Sequence, residues 1–210
     1  MKLTRKTAIT FALATVVAAT AACDSSPSTA DDMSRIQVLI TDSPDEYLST
    51  AFVEISRVYL IPGEEDPEEG PPFVDLFNAS DDGVEPLWVD LLTLQDGVVE
   101  DVTGEVELPA GRYRQLRMIV SRAEVTLNEE YEFADGGQTR DLVVPSGAQT
   151  GIKAMLDEPI DTEGGMVSVI LLDFDVNENF VIQGDPNTPA GIQGVLFTPV
   201  LRELARNTNP

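Results

Sequence analysis

Histidine does not occur in this chain of 210 residues. Its absence excludes Ser-His and Cys-His catalysis, imidazole-ligated zinc or haem, and a histidine pH switch. Cysteine occurs once, at Cys23. One thiol makes no intramolecular disulfide, no cysteine zinc cluster and no redox pair. Lysine is scarce: past Lys6 there is only Lys153, beside nine arginines. No segment carries a long apolar stripe of period 3.6, and no internal repeat is found. The glycine pairs Gly136-Gly137 and Gly164-Gly165 lack the strand–loop–helix context of a phosphate loop.

Acid is what the chain has in excess. Asp and Glu number 37 against 13 Lys and Arg, a formal net charge of -24. Such a surface repels nucleic acid and anionic headgroups at long range and attracts divalent cations or basic partners. It also suits a salty habitat, where screening reduces self-repulsion. Hydrophobic residues make up 42%, enough for one domain with a real core.

The N-terminus reads as a leader. Met1-Lys-Leu-Thr-Arg-Lys6 is a basic region, Thr7 to Thr20 is apolar, and Thr20-Ala-Ala-Cys23 ends in small residues before the cysteine. The apolar stretch is too short to span a bilayer comfortably and fits a signal peptide. A cysteine at that spot resembles a bacterial lipobox. The expectation is a signal peptide over 1–22 and acyl chains, palmitate among them, on Cys23. Each buried CH₂ adds about 0.8 kcal/mol of anchoring. Without Lys2, Arg5 and Lys6 the balance is 10 basic to 37 acidic residues, or -27. Residues 23–34 then form the lipidated cysteine and a polar tether, whose Asp24–Ser34 reaches at most about 35–40 Å. The expected address is a bacterial cell envelope: the periplasmic face of the inner or outer membrane, or the cell surface.

From Arg35 the pattern is β. Ile36, Val38 and Ile40 alternate with their neighbours. Val53, Ile55, Tyr59 and Ile61 are expected on one face of a strand, with Arg57 in the same row. Leu87–Leu94 is a strand or one helical turn. Leu108-Pro-Ala-Gly111 turns into a long strand over 112–127, where Leu116, Met118 and Val120 share a face. Tyr113 is out of phase with them and marks a bulge or an edge. Ala134-Asp-Gly-Gly137 between Tyr131/Phe133 and Leu142/Val144 reads as a hairpin. Met166–Val176 is apolar on nearly both faces, a central strand, and Gly194–Leu204 closes the domain with Pro199 at an edge or bulge. Eight to ten short strands with turns between them point to an all-β antiparallel sandwich over 35–206, followed by a tail at 207–210.

The ordered series Thr41-Asp-Ser-Pro44, Val53-Glu-Ile-Ser-Arg-Val58, Val89-Asp-Leu-Leu-Thr-Leu94, Leu108-Pro-Ala-Gly-Arg-Tyr-Arg-Gln-Leu-Arg117, Val144-Pro-Ser-Gly147, Leu172-Asp-Phe-Asp175 and Phe197-Thr-Pro-Val200 resembles the bacterial lipoprotein family of the domain of unknown function 4382. The Leu-Pro-Ala-Gly-x-Tyr turn is also similar to one in transthyretin-like and carboxypeptidase-regulatory-like β-sandwiches. The resemblance implies a secreted, lipid-anchored β-sandwich. It supplies no catalytic residues.

Asp173, Asp175, Asn177 and Asn179 alternate and fall on one side of an extended chain. Where the chain turns, their oxygens resemble the start of a calcium loop, although the central glycine and trailing glutamate are missing. The competing reading pairs Asp173 and Asp175 with Arg57 and Arg117, which interrupt apolar rows. Glu64–Glu69 reads as a solvated acidic loop or a weak cation site. Ser146 has no histidine to activate it and reads as a turn residue. Trp88 and Tyr47 are either core or platforms for a sugar ring. The chain is therefore expected to be a non-enzymatic envelope module, needing no cofactor, that binds an envelope protein or glycan and no nucleic acid. A calcium-stabilised adhesion module and a carboxylate-based glycan hydrolase are the alternatives.

Overall fold

The computed structural model describes residues 32–42, 45–63, 73–81, 83–145 and 150–210. Cys23, Glu64–Glu69 and Ser146 lie outside the described residues. Fourteen strands are described: β1 Met33–Thr41, β2 Leu48–Pro62, β3 Val74–Asn78, β4 Leu87–Asp90, β5 Glu100–Asp101, β6 Val106–Pro109, β7 Gly111–Leu127, β8 Thr139–Leu142, β9 Ile152–Met155, β10 Ile160–Thr162, β11 Val167–Asp173, β12 Phe180–Asp185, β13 Gly191–Phe197 and β14 Leu201–Asn209. Among the described residues, helix is confined to short turns, including a 3-10 turn at Leu91–Leu94 and one α-turn, α1, at Val176–Asn179. The all-β expectation stands. Strand β1 starts at Met33 and β14 runs to Asn209, so strand structure extends into residues read from the sequence as tether and tail.

Twelve strands form one curled mixed sheet: eight follow the order β3-β2-β7-β9-β14-β11-β1-β5, with β4 paired to β2, β6 to β1, and β8 and β10 to β7, and β12-β13 form a separate hairpin. This departs from a strictly antiparallel sandwich. β1 runs parallel to β11, and β9 runs parallel to β14. The short strand β9 pairs with β7 on one side and β14 on the other, joining the two halves of the sheet. Both halves contribute to one buried cluster, Ile36, Val38 and Ile40 from β1 meeting Val53, Ile55 and Met118 from β2 and β7. Alternation along each strand delivers that inner face.

The β2–β7 pair explains where alternation alone misleads. Four register shifts interrupt it. Ser49 and Ser56 on β2 and Arg114 and Ser121 on β7 are the unpaired extra residues. The Ser121 hydroxyl donates to the Glu54 carbonyl oxygen and that of Ser56 to the Ile119 carbonyl oxygen, so the bulged hydroxyls bond across the pair. Ser56 reverses the phase of β2. Val53 and Ile55 point inward before it, Val58 and Leu60 after it, all fully buried. Arg57 and Tyr59 consequently face outward, which corrects the expected row of Val53, Ile55, Tyr59 and Ile61. Ser121 makes the matching reversal on β7, so Ala123 opposes Val53, and Met118 opposes Val58, inside the core. The bulge at Arg114 turns Tyr113 inward, where its hydroxyl donates to the Pro109 carbonyl oxygen at 2.7 Å.

Three other expectations are refined. Leu87–Leu94 is both strand and turn, with the Asp90 side chain accepting from the Leu92 amide. Gly136 and Gly137 do make a turn with positive φ. The hairpin is wider than expected: β8 pairs antiparallel with the end of β7 rather than with Tyr131 and Phe133, and Phe133 bridges Ile192. The expected closing strand is two strands, β13 and β14, interrupted at Thr198–Val200. Buried Asn179 holds that break: its amide nitrogen donates to the Val200 carbonyl oxygen at 3.0 Å and its side-chain oxygen accepts from the Val200 amide. The β12-β13 hairpin is tied to the core by Phe180 and Phe197, with ring centroids 4.9 Å apart, and by Phe174 stacked on Phe197 at 6.3 Å.

Truncating Phe197 to alanine is expected to cost about 3–5 kcal/mol in denaturant unfolding. Asn179→Ala, which strands two buried backbone groups, should cost about 2–4 kcal/mol with little lost volume. A change below about 1 kcal/mol for either would mean that the hairpin is not docked this way.

Candidate functional site

Three surface regions carry chemistry. The first lies on the outer face of β4, β2 and β7. Trp88 on β4 opposes Glu54 on β2, which opposes Arg122 on β7. The indole, the only one in the chain, is 39% exposed and stacks on Phe52, with centroids 5.3 Å apart and planes 7° from parallel. The Arg122 guanidinium carbon lies 5.1 Å from the indole centroid, and its Nη2 donates to Asp141 at 3.2 Å. The Ser121 hydroxyl donates to the Glu54 carboxylate at 2.7 Å. Beside them an open depression of about 270 Å³ is lined by Ser121, Arg122, Ala123, Asp141, Leu142 and Val144. Cation–π contact and ring stacking each fix flat surfaces in place. The result is a rigid aromatic platform with a charged fork at its edge. Trp88 is the sequence candidate that the structure places on the surface. Tyr47, the other aromatic candidate, packs its ring against Tyr131 at 5.5 Å.

The second region lies further along the same face, where β9 joins. Arg57 packs over Tyr59 at 4.8 Å and over Phe73 at 4.3 Å. Both oxygens of Asp75 accept from it, at 2.5 and 3.0 Å. That hydrogen bonding holds the guanidinium above its ordinary pKa. Arg57 therefore pairs with Asp75, and Arg117 pairs with neither Asp173 nor Asp175. Arg117 donates instead to Gln115 Oε1, at 3.1 and 3.0 Å, and to the Thr150 carbonyl oxygen at 2.7 Å. The bulge at Ser56 leaves no compositional mark, so Arg57 reads from the sequence as a core interruption, whereas Arg117 faces outward by plain alternation with Leu116 and Met118.

The third region is the acidic corner after β11. Asp173 opposes Arg202 on β14. Arg202 pairs with Glu178, whose hydrogen bond raises the guanidinium pKa. Asp175 caps α1 by accepting from the Glu178 amide at 3.4 Å. Asn177 is exposed, while Asn179 is buried and committed to Val200. The local turn of α1 thus separates side chains that extended alternation would align. Among the described residues, no group of three or more carboxylates is arranged to hold a metal ion. Partial burial, then the neighbouring Asp175, raises the Asp173 pKa, with Arg202 opposing and Glu178 adding to the rise.

A raised carboxyl pKa destabilises the fold at neutral pH, where the group is ionised, and the penalty disappears below the ordinary aspartate pKa. Asp173→Asn is accordingly expected to raise the thermal midpoint at pH 7, with the gain shrinking as pH falls through the acid range. A lower midpoint at pH 7 would show that the pairing with Arg202 outweighs desolvation.

Neither the curated proteins nor the solved structures give a match. The family model described as Domain of unknown function (DUF4382) matches residues 33–192, from the first residue of β1 into β13. That span contains the β2–β7 pair, the aromatic platform and the acids of the corner, while Arg202 lies beyond it; the chain belongs to the family defined by the domain of unknown function DUF4382.

Proposed function

We infer that this protein is a lipid-anchored module of a bacterial cell envelope that binds a partner and performs no chemistry on it. The observation that carries the reading is the outward placement of Trp88, stacked on Phe52 and Arg122 beside an open depression. Tryptophan and arginine anchors on a rigid surface are the usual currency of binding sites. A stiff sheet presents them with little ordering entropy to lose. The leader and Cys23 support the envelope address. The lack of histidine supports a binding role over Ser-His or zinc hydrolysis, and the depression is open to solvent.

A calcium-stabilised adhesion module is the second reading. It draws on Asp173, Asp175, Asn177 and Asn179, and the raised pKa of Asp173 beside Asp175 favours it. Against it stand Arg202 among those carboxylates and the commitment of the Asn179 amide to Val200.

Membrane fractionation tests the address. Wild-type chain should partition with membranes and carry acyl mass on Cys23, and Cys23→Ser should release it into the soluble fraction. A photoreactive residue at Val143, which is 87% exposed near the depression, should cross-link an envelope component. Trp88→Ala should weaken that capture by about 30-fold, the size of a 2 kcal/mol hot spot. Equal capture by wild type and Trp88→Ala would reject the platform. Melting in millimolar calcium against chelator separates the second reading: saturation at about 100 Kd adds about 2.7 kcal/mol, whereas the binding-module reading expects no change.

A further inference from the structure

The basic side chains of this acidic protein are not spread evenly. Asp75, Tyr59, Arg117 and Lys153 form one cross-strand row over β3, β2, β7 and β9. Val58, Met118 and Ile152, next to them in sequence, face the core, so the row lies on the opposite face, where Tyr59 is itself covered by Arg57 and Phe73. Arg57 stands beside Tyr59 on the same face. The only carboxylate in the row is Asp75, and both of its oxygens are already bonded to Arg57. Among the described residues, Arg117 is oriented by neutral acceptors, Gln115 and the Thr150 carbonyl oxygen. Lys153 is exposed. Among the described residues, the row therefore sets two basic side chains without a carboxylate partner, Arg117 and Lys153, side by side, one of them a guanidinium fixed in place.

We propose that this face binds the carboxylate groups of an acidic polysaccharide, with Arg117 as the oriented fork and Lys153 as the flanking charge. The proposal rests on the binding-module reading and names its ligand class. A guanidinium already held by neutral acceptors keeps its remaining N–H groups aimed at an incoming carboxylate. Phe73, 38% exposed and edge-on to Tyr59 at 5.8 Å, offers the apolar face of a sugar ring a surface at the rim. The step from Tyr59 to Lys153 crosses three strands, about 10 Å, which accommodates one polymer chain. A bilayer surface calls for a broader patch, typically 4–8 basic residues, and here three stand together with one neutralised. The overall charge of -24 does not forbid the contact. At about 0.1 M salt, charges beyond about 10 Å are largely screened, so a seated carboxylate responds to its near neighbours.

The test is retention of the full-length chain, in non-ionic detergent, on immobilised polygalacturonate. Neutral dextran and, for the Cys23→Ser chain without detergent, phosphatidylglycerol vesicles serve as the other two arms. Wild type should bind polygalacturonate at low salt, lose affinity as salt rises, and ignore dextran. Lys153→Glu should weaken binding at least tenfold, and Arg117→Gln likewise, while Arg117→Lys should recover part of it. Arg35→Gln loses one positive charge too, but Arg35 pairs with Glu105 at 2.9 Å away from this row and should bind as wild type does. Lys153 is exposed, so Lys153→Glu keeps the test decisive if the Arg117 variants fold poorly. No binding, equal losses in Lys153→Glu and Arg35→Gln, or vesicle binding abolished by the same variants would overturn the proposal. A partner cross-linked at Val143 together with no polygalacturonate binding would sink the ligand class and leave the module reading intact.

Discussion

Thirteen residue pairs run between β2 and β7, and the rest of the molecule is arranged around them. A long antiparallel pair twists, and a strictly regular one of this length would carry its inner face away from the core. Bulges on both strands correct this. Ser56 shifts β2 and Ser121 shifts β7 within one stretch, so the reversals match and apolar residues oppose apolar residues on either side. A bulge on one strand alone would have set Arg57 or Arg117 against the interior, at the cost of burying an unpaired charge. The same correction on β7 at Arg114 brings Tyr113 inward, where its hydroxyl closes the turn from β6.

The outer surface is the other side of the same arithmetic. Arg57 and Tyr59, which the Ser56 bulge turns away from the core, and Arg117, which alternates with Leu116 and Met118, lie on one continuous face with Glu54, Arg122 and Trp88 further along the strands; the Tyr59 ring itself is covered by Arg57 and Phe73. Each arginine is held there by a different device: a carboxylate and two rings for Arg57, neutral acceptors for Arg117, a carboxylate and an indole for Arg122. Rigid placement of this kind is what lets a sheet face act as a binding surface without a deep cleft. The opposite end of the sheet has a different character. Around β11 and α1 the acids face Arg202, and the chain break at Thr198–Val200 is closed by Asn179.

Much of the fold is legible in the sequence where a strand is uninterrupted. Ile36, Val38 and Ile40, or Leu116, Met118 and Val120, alternate cleanly and are buried as alternation requires. Tyr113 betrays its bulge because an aromatic residue stands out of phase. Ser56 and Ser121 betray nothing, since serine is at home on any solvated face and the neighbouring apolar residues read equally well in either phase. The parallel pairings of β1 with β11 and β9 with β14 are likewise invisible, because strand direction is set by connections across more than a hundred residues for β1 and β11. The candidate surface was half legible. A lone Trp88 is a clear signal. Its companions Arg122 and Asp141 come from distant strands, and only register joins them. Asn179 illustrates the reverse failure: spacing set it beside Asp173 and Asp175, and the turn α1 redirected it to the backbone of Val200.

The account stands most directly on the β2–β7 ladder, and native-state hydrogen exchange reads that ladder amide by amide. Val53, Ile55, Val58, Met118 and Val120 are predicted to exchange only through global unfolding, with protection equal to the full stability of the domain. Exchange of these amides through a lower-energy opening, while those of Ile36, Val38 and Ile170 stay protected, would show that the matched bulges do not hold the structure together and would contradict it.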